Sequence, residues 1–320
     1  MTSLIREHSK LAIIGAGAVG TSLAYAALIR RSAREIALFD TNKAKVDAEV
    51  LDLAHGTQFT GSSRVYGGSD IEVVRDANVV VVTAGAKQQP GQSRLELAAT
   101  NVEILRDLMP KLVALAPHAI FVLVTNPCDV LAVAAQKFSG LAPERVFSSG
   151  TVLDSSRLRW LLAERVGVAI SSVHAMIVGE HGDSEFALWS QTRIGPVPLA
   201  DWAPIDHPPL SQAELDQIAS DVKNAAYQVI AGKGATNYAI GLSGARIVEA
   251  ILNDEKAVLP VSSVLANYHG VSGVALSVPT VVGASGIERV IEVPMSAEEK
   301  FKFAASASAV KASLDTLGLG

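Results

Sequence analysis

The feature that most constrains this chain is the glycine-rich segment GAGAVG (15–20), which lies between the apolar run LAIIG (11–15) and the helical pattern GAVGTSLAYAALIR (17–30). In such a strand–turn–helix unit, the first glycine makes the tight turn and the second lets the backbone approach a pyrophosphate. The third lets the helix pack on the strand. Because the helix N-terminus then faces the phosphates, the segment predicts a dinucleotide-binding unit.

The next predicted strand, EIALFD (35–40), ends at Asp40, twenty residues after Gly20. A carboxylate at this offset accepts hydrogen bonds from an adenosine ribose and repels a 2′-phosphate. Asp40 therefore favours NAD over NADP as the cofactor.

Apolar runs and helical patterns alternate through the first half of the chain. The runs are rich in Val, Ile, Leu and Phe without polar alternation, which is typical of strands covered on both faces. The predicted strands are 11–15, 35–40, 64–68, 78–85, 119–126 and 145–150, and the predicted helices are 17–30, 43–56, 94–115 and 130–136. This order predicts an α/β fold with a Rossmann-type, doubly wound parallel sheet.

The second half has a different pattern. Its predicted helices are 155–167, 211–232, 239–252 and one from about residue 296, and its predicted strands are 174–179, 257–266 and 288–295. The proline-rich passage 195–210 is expected to be a loop, and Ser211 with Glu214 indicates a capping box. We therefore predict an NAD-binding domain over residues 1–148 and an α+β catalytic domain over residues 149–320.

Composition narrows the class of protein. A net charge of −5 argues against a protein that binds nucleic acid over its surface. No apolar stretch is long enough to cross a bilayer. The single cysteine, Cys128, cannot form an internal disulfide or a thiolate metal site, and we interpret it as a small buried residue. The N-terminus, MTSLIREHSK, lacks the apolar run of a signal peptide. We expect a soluble, intracellular protein without a metal.

Three polar residues of the second half are candidates for chemistry. His181 follows a predicted strand in GEHGD (179–183), where flanking glycines allow a ligand to approach and a histidine can carry a proton. Asp154 and Arg157 are three residues apart in LDSSR, so they share one helix face. Arginine there could bind a carboxylate, and aspartate could orient a histidine. Taken alone, these residues are equally compatible with a packed histidine, a helix cap and a solvent-exposed arginine.

Two loops follow predicted strands at the edge where such sheets bind ligands. KQQPGQSR (87–94) contains Gln88 and Arg94, and Asn126 ends the strand 119–126. Loops at strand ends often carry binding groups. We expect Arg94 to act on a substrate and Gln88 to select it.

Taken together, these motifs resemble the lactate/malate dehydrogenase family from about Leu11 to the last helix. The resemblance rests on GAGAVG with Asp40, TAGAKQQPGQSR, VTNPCD, LDSSR, GEHGDS and GKGATNYAIG (232–241), all in order. It implies an NAD-dependent oxidoreductase that transfers a hydride between NADH and a 2-oxo acid.

The resemblance also implies roles for the site residues. His181 would be the general acid in reduction and the base in oxidation, with Asp154 holding its ring. Arg157 would bind the substrate carboxylate, and Arg94 would polarise the carbonyl when its loop closes. Further residues would bind substrate, namely Asn126 and Thr236. The cofactor path would be lined by Gly15, Gly17, Val19, Gly20, Asp40, Lys45, Gly85, Ala86, Val124, Asn126, Ser149 and Ile240.

Gln88 bears on the choice of substrate. Malate-specific members carry an arginine at this position, which pairs with the second carboxylate of oxaloacetate. A neutral glutamine would leave that charge buried without a partner, so it favours pyruvate and (S)-lactate. Malate and a bulkier 2-hydroxy acid are the competing substrates. A non-catalytic member would be expected to lack His181, Arg94 or Arg157.

The expectations on regulation and oligomeric state rest on the resemblance alone. Many bacterial members are tetramers activated by fructose 1,6-bisphosphate, which they bind through residues that match Arg159 and His174. Arg159 and His174 are equally compatible with two residues at a subunit contact that bind no sugar phosphate. The resemblance also implies a cytoplasmic homotetramer that serves fermentation after glycolysis.

Overall fold

The computed structural model describes residues 9–86, 94–204 and 208–320, with Arg94 described by its backbone only. The helices of these ranges are α1 Ala18–Arg30, α2 Lys43–His55, α3 Arg94–Leu115, α4 Cys128–Ser139, α5 Val152–Val166, α6 Gln212–Lys233, α7 Tyr238–Leu252 and α8 Ala297–Thr316. The strands are β1 Lys10–Ile14, β2 Glu35–Phe39, β3 Arg64–Gly68, β4 Val79–Val82, β5 Ile120–Leu123, β6 Val146–Ser148, β7 Val173–His174, β8 Ile177–Val178, β9 Phe186–Ala187, β10 Arg193–Ile194, β11 Val197–Pro198, β12 Ala257–Leu259, β13 Ser262–Val264, β14 Ala275–Ser277, β15 Thr280–Gly283 and β16 Gly286–Val290.

The central sheet has eight strands in the order β14-β13-β6-β5-β4-β1-β2-β3. The six strands from β6 to β3 are parallel, and their order is that of a doubly wound nucleotide-binding sheet. The order reverses between β1 and β4, and ligands of such sheets bind at that point. The predicted α/β, Rossmann-type fold is confirmed.

The inner strands β1, β4 and β5 are buried on both faces of the sheet, to which successive side chains point alternately. Along β1, Leu11 and Ile13 pack with α1 and α7 on one face. Ala12 and Ile14 pack with α3 and α4 on the other. All four residues are 0% exposed, which explains the unbroken apolar run in the sequence.

Helix α7 comes from the second half of the chain but packs on α1. A Cβ at Gly241 would lie 2.7 Å from the backbone carbon of Ser22, so the two helix backbones are in close contact. The contact also contains an ion pair, in which Arg30 Nη2 lies 2.6 Å from Glu249 Oε2. These contacts fix α7 along the length of α1.

The second half differs from the sequence prediction in its strands. The predicted strand 257–266 is two strands in different sheets, because Pro260 has no amide hydrogen and interrupts the ladder. The predicted strand 174–179 is also divided: His174 pairs with Arg193, whereas Ile177 pairs with Ala187. The predicted loop 195–210 contains β11, and the predicted strand 288–295 ends at Val290. The capping box of Ser211 and Glu214 is confirmed.

The predicted division after residue 148 stays a prediction, because the central sheet extends across it. Ser148 of β6 pairs with Ser262 of β13, so two strands of the second half complete the sheet. Within the ranges that the structure describes, no helix is both long enough and apolar enough to span a membrane.

Candidate active site

The turn between β1 and α1 has the form that its glycines predict. Gly15 has a φ of +104°, and a Cβ there would lie 2.8 Å from the amide nitrogen of Ala84. At Gly20 a Cβ would lie 1.9 Å from the carbonyl oxygen of Gly15. These two glycines are therefore required for the packing of the turn, the strand and the helix.

Gly17 differs from its two neighbours in the motif. A Cβ at Gly17 would meet nothing within 4 Å, so its small size is not needed for internal packing. Gly17 is the N-cap of α1, and the first turn of the helix carries no acidic residue. The amides of that turn have no partner within the helix and favour an anion. The open space beside these amides fits the pyrophosphate of a dinucleotide.

Asp40 lies just beyond β2 and is fixed by backbone amides. Its Oδ2 accepts the Ala16 N–H at 2.8 Å, and its Oδ1 accepts the Asn42 N–H at 2.9 Å. The first contact joins the carboxylate directly to the glycine-rich turn. A nucleotide lying on that turn would place its ribose beside a negative charge, which fits NAD.

The remaining cofactor candidates lie along the same edge, because the carboxyl ends of parallel strands meet there. Gly85 and Ala86 follow β4, and the Ala86 N–H donates to Asn101 Oδ1 at 2.7 Å. Ile240, in the first turn of α7, packs on the core cluster that also contacts Val19. The others are Lys45, exposed in the first turn of α2, Val124 and Asn126 after β5, and buried Ser149 after β6.

His181, Asp154 and Arg157 form one hydrogen-bonded group. His181 Nδ1 lies 2.7 Å from Asp154 Oδ2. Arg157 Nη1 donates to Asp154 Oδ1 at 2.5 Å. Asp154 lies in the first turn of α5 and is 1% exposed. Its carboxylate therefore contacts His181 and Arg157 where little water reaches it. The sequence alone left these roles open, and the structure brings the three residues together.

The charges of this group shift its proton equilibria. Burial lowers the pKa of His181, but the negative charges of Asp154, Glu185 and Asp129 outweigh burial and raise that pKa to about 9. Burial raises the pKa of Asp154, but His181 and Arg157 outweigh it and hold that pKa below its ordinary value. The histidine is therefore protonated at neutral pH and the aspartate is ionised.

Asp129 is a residue of this site to which the sequence analysis gave no role. Its Oδ2 accepts the backbone N–H of His181 at 2.7 Å, so it holds the histidine loop against α4. Burial raises the pKa of Asp129 to about 6. The signal was present in VTNPCD, but only the fold brings residue 129 to residue 181. Its neighbour Cys128 is buried, as predicted, and burial raises the pKa of the thiol.

Glu185 is a second residue that the sequence analysis did not assign. Its Oε2 lies 3.9 Å from His181 Nδ1, and the residue is 7% exposed. Asp154, His181 and Glu185 offer ligand atoms within 4.8 Å of one another, a spacing that a metal ion could use. Arg157 already occupies one oxygen of Asp154, and its charge repels a cation. We interpret the group as an acid–imidazole cluster.

A cavity of about 200 Å³ opens in front of the histidine. Its polar wall includes Asn126, Arg157 and His181, and its apolar wall includes Leu97 and Ile230. Thr236 is not among the described residues that line it. Gln88 and the side chain of Arg94 lie outside the described residues, so their predicted roles stay predictions.

Arg159 contacts the backbone next to His174, and neither residue is among the described residues that line this cavity. Arg159 Nε donates to the carbonyl oxygen of Ala175 at 2.8 Å, one residue beyond His174. His174 is exposed on β7. Burial lowers the pKa of Arg159, so a nearby anion would stabilise its charge.

Comparison with known proteins agrees with this geometry. The model of the lactate/malate dehydrogenase NAD-binding domain matches residues 9–148, and that of the lactate/malate dehydrogenase alpha/beta C-terminal domain matches residues 151–318. An L-lactate dehydrogenase of Bifidobacterium animalis subsp. lactis is 50% identical over 312 residues, covering 97% of this chain and 95% of the relative. An L-lactate dehydrogenase of Nitratidesulfovibrio vulgaris is 45% identical over 299 residues, covering 93% of this chain and 96% of the relative.

Two solved structures are also similar. The minor L-lactate dehydrogenase of Enterococcus mundtii, in a ligand-bound form, superposes with a TM-score of 0.92 at 42% identity, covering 97% of this chain and 98% of the other. A lactate dehydrogenase from a Medee basin deep-sea metagenome library superposes with a TM-score of 0.93 at 35% identity, covering 97% and 99%.

Proposed function

The chain belongs to the lactate/malate dehydrogenase family, and from that premise we propose that it is an NAD-dependent L-lactate dehydrogenase that interconverts pyruvate and (S)-lactate. The observation that carries the proposal is the 2.7 Å contact between His181 and Asp154 at the wall of a cavity. An imidazole held in this way is a proton donor and acceptor fixed beside a bound substrate.

Bound NADH supplies the hydride, and the protein supplies the proton. Because Asp154 occupies Nδ1 of His181, Nε2 is the nitrogen left for the substrate. In reduction, Nε2 donates its proton to the carbonyl oxygen, and in oxidation it accepts the hydroxyl proton. The ionised Asp154 stabilises the imidazolium in both directions.

Arginines position the other end of the substrate. Arg157 uses one nitrogen on Asp154 and lines the cavity, so its remaining N–H groups can bind a substrate carboxylate. We assign Asn126 and Thr236 to further substrate contacts. Arg94 would polarise the carbonyl when its loop closes and excludes water.

Pyruvate is the proposed substrate because Gln88 is neutral and cannot pair with a second carboxylate. Apolar Leu97, Ala226 and Ile230 line the described part of the cavity and suit a methyl group. Relatives that carry the name L-lactate dehydrogenase support the same choice.

The test is a side-by-side measurement of initial rates with pyruvate and with oxaloacetate, using NADH. We expect a pyruvate preference of about a hundredfold, equivalent to about 3 kcal/mol. Gln88→Arg should raise the oxaloacetate rate, whereas the matched control Gln89→Arg should leave the preference unchanged. An oxaloacetate preference in the unchanged protein would overturn the proposed substrate.

We also propose that the enzyme is a cytoplasmic homotetramer that serves fermentation after glycolysis. Fructose 1,6-bisphosphate would activate it by binding Arg159 and His174. The contact of the Arg159 side chain with the backbone next to His174 supports the proposed sugar site. A sugar-dependent fall in the KM for pyruvate, abolished in Arg159→Gln, would support this site. A KM that is independent of the sugar in both proteins would contradict it. Sedimentation analysis tests the assembly.

A further inference from the structure

Glu185 lies beside the proton-transferring histidine, yet the mechanism above does not use it. Its Oε2 is 3.9 Å from His181 Nδ1, too far for a hydrogen bond but close enough for strong charge interaction. The residue is 7% exposed, so bulk water screens that interaction only weakly. The charge on Glu185 must therefore affect the proton on His181.

The position of Glu185 also gives it access to protons from a second direction. Beyond the substrate cavity, it lines a second cavity of about 450 Å³, together with Trp189, Ser220 and Phe301. A group in a wall shared by two cavities can exchange protons through one while substrate fills the other. Glu185 is thus placed to respond to solvent pH while the site is occupied.

Charged groups from three elements face Glu185. Burial is the main cause that raises the pKa of Glu185, and the charge of Asp154 on α5 adds to it. The positive charges of His181 on its own loop, Arg157 on α5 and Lys223 on α6 oppose this shift. The outcome is a pKa of about 8, so the acid is neutral at pH 7 and ionises in mildly alkaline solution.

We propose that Glu185 is a positioning residue whose ionisation strengthens the hold of His181 on its proton. The proposal rests on the proposed function, because it concerns the same histidine. A charged Glu185 places a second carboxylate near Nδ1, which favours the imidazolium. Reduction of the 2-oxo acid then continues to higher pH. Oxidation, which needs a neutral imidazole, begins only at higher pH.

Glu185→Gln tests this because it keeps the shape and removes the ionisation. The pH profiles of kcat/KM should be measured for 2-oxo acid reduction and for 2-hydroxy acid oxidation. Both midpoints should move to lower pH by about half a unit or more, because a unit charge at this distance has about that effect even with strong screening. In Glu185→Asp, which keeps a carboxylate, both midpoints should lie between those of Glu185→Gln and those of the unchanged protein. Unmoved midpoints in Glu185→Gln would overturn the proposal.

Glu249→Gln is the matched control, because it also removes a buried glutamate but at the distant contact with Arg30. It should lower the Tm and leave both midpoints unmoved. A structural effect alone would therefore be seen in the Tm and not in the pH profile.

A readout without substrate separates this proposal from the proposed function. The NMR signal of the His181 imidazole, identified by its loss in His181→Gln, should titrate at lower pH in Glu185→Gln than in the unchanged protein. If the enzyme prefers another 2-oxo acid, the proposed substrate fails, but this titration still decides the role of Glu185. Should Glu185→Gln not fold, Glu185→Asp replaces it. The shorter side chain draws the carboxylate away from Nδ1, so the His181 midpoint should fall by a smaller amount, and an unmoved midpoint would overturn the proposal.

Discussion

The nucleotide crevice and the histidine pocket share one edge of the central sheet, but they are built in different ways. The crevice is formed by backbone, with glycines at 15, 17 and 20 and amides at a helix start. The pocket is formed by charged side chains from α4, α5 and the loop at 179–185. We infer that backbone shape holds the cofactor, whereas coupled charges control the proton.

The largest effect is expected for His181→Gln. Loss of the proton donor should lower kcat with pyruvate by about a thousandfold, within the usual range for general acid–base catalysis. NADH binding, followed by fluorescence, should stay within about twofold, because the crevice is separate. His118→Gln, at an exposed position, is the control and should keep full activity. A comparable loss of NADH affinity in His181→Gln would show that the two regions are not independent.

Asp154→Asn tests the charge coupling through the pH profile. The folded pKa of His181, about 9, is above the ordinary 6.5. Its protonated form therefore contributes stability that is complete below pH 6.5 and is lost as pH rises through about 9. In Asp154→Asn, the pH at which kcat/KM for pyruvate falls to half should move from about 9 towards 6.5. Activity at pH 8 should therefore be lower by about thirtyfold. Asp107→Asn, in a surface pair with Lys111, should leave this midpoint unchanged. An unmoved midpoint in Asp154→Asn would contradict the coupling.

The glycine motif offers a matched pair of variants. Gly20→Ala places a Cβ 1.9 Å from the Gly15 carbonyl oxygen and should lower the free energy of unfolding by about 2 kcal/mol. Gly17→Ala meets no atom within 4 Å, so its Tm should not change. Its NADH Kd should rise by about tenfold, since the added methyl group occupies the space for the pyrophosphate. Equal Tm values for both variants would show that the motif is not divided between packing and binding.

Asp40→Ser tests the choice between the two nicotinamide cofactors. Removal of the carboxylate should lower the preference for NADH over NADPH by about tenfold, measured as the ratio of kcat/KM values. Asp47→Asn, on the surface of α2 and paired with Lys43, is the control. A preference that stays the same in Asp40→Ser would mean that another group excludes the 2′-phosphate.

The same division explains how much of the molecule the sequence could predict. The crevice is local in the chain, so GAGAVG and Asp40 were enough to predict it. The pocket joins His181 to Asp154, 27 residues away, and to Asp129, 52 residues away. No spacing rule predicts such contacts, which is why Asp129 and Glu185 received no role until the fold was known. His181 and Arg157 were candidates from their local motifs, and the family resemblance predicted their roles.

The fold shows the same limit. Apolar runs predicted the inner parallel strands, because strands buried on both faces leave a strong signal. The edge strand β3, RVYGG, carries a weaker signal because it is only partly buried. The short strands of the second half were harder to predict. Pro260 interrupts one predicted strand, and the two parts of 174–179 pair with different partners. Tertiary pairing decided those elements.

The most direct test of the division is one pH series on the unchanged protein, from pH 6 to 10, in which NADH affinity and pyruvate kcat/KM are measured in the same buffers. We expect an NADH Kd that stays level while kcat/KM falls with a midpoint near 9, the pKa of His181. A Kd that rises together with the loss of turnover, or a turnover midpoint near the ordinary histidine pKa of 6.5, would contradict it.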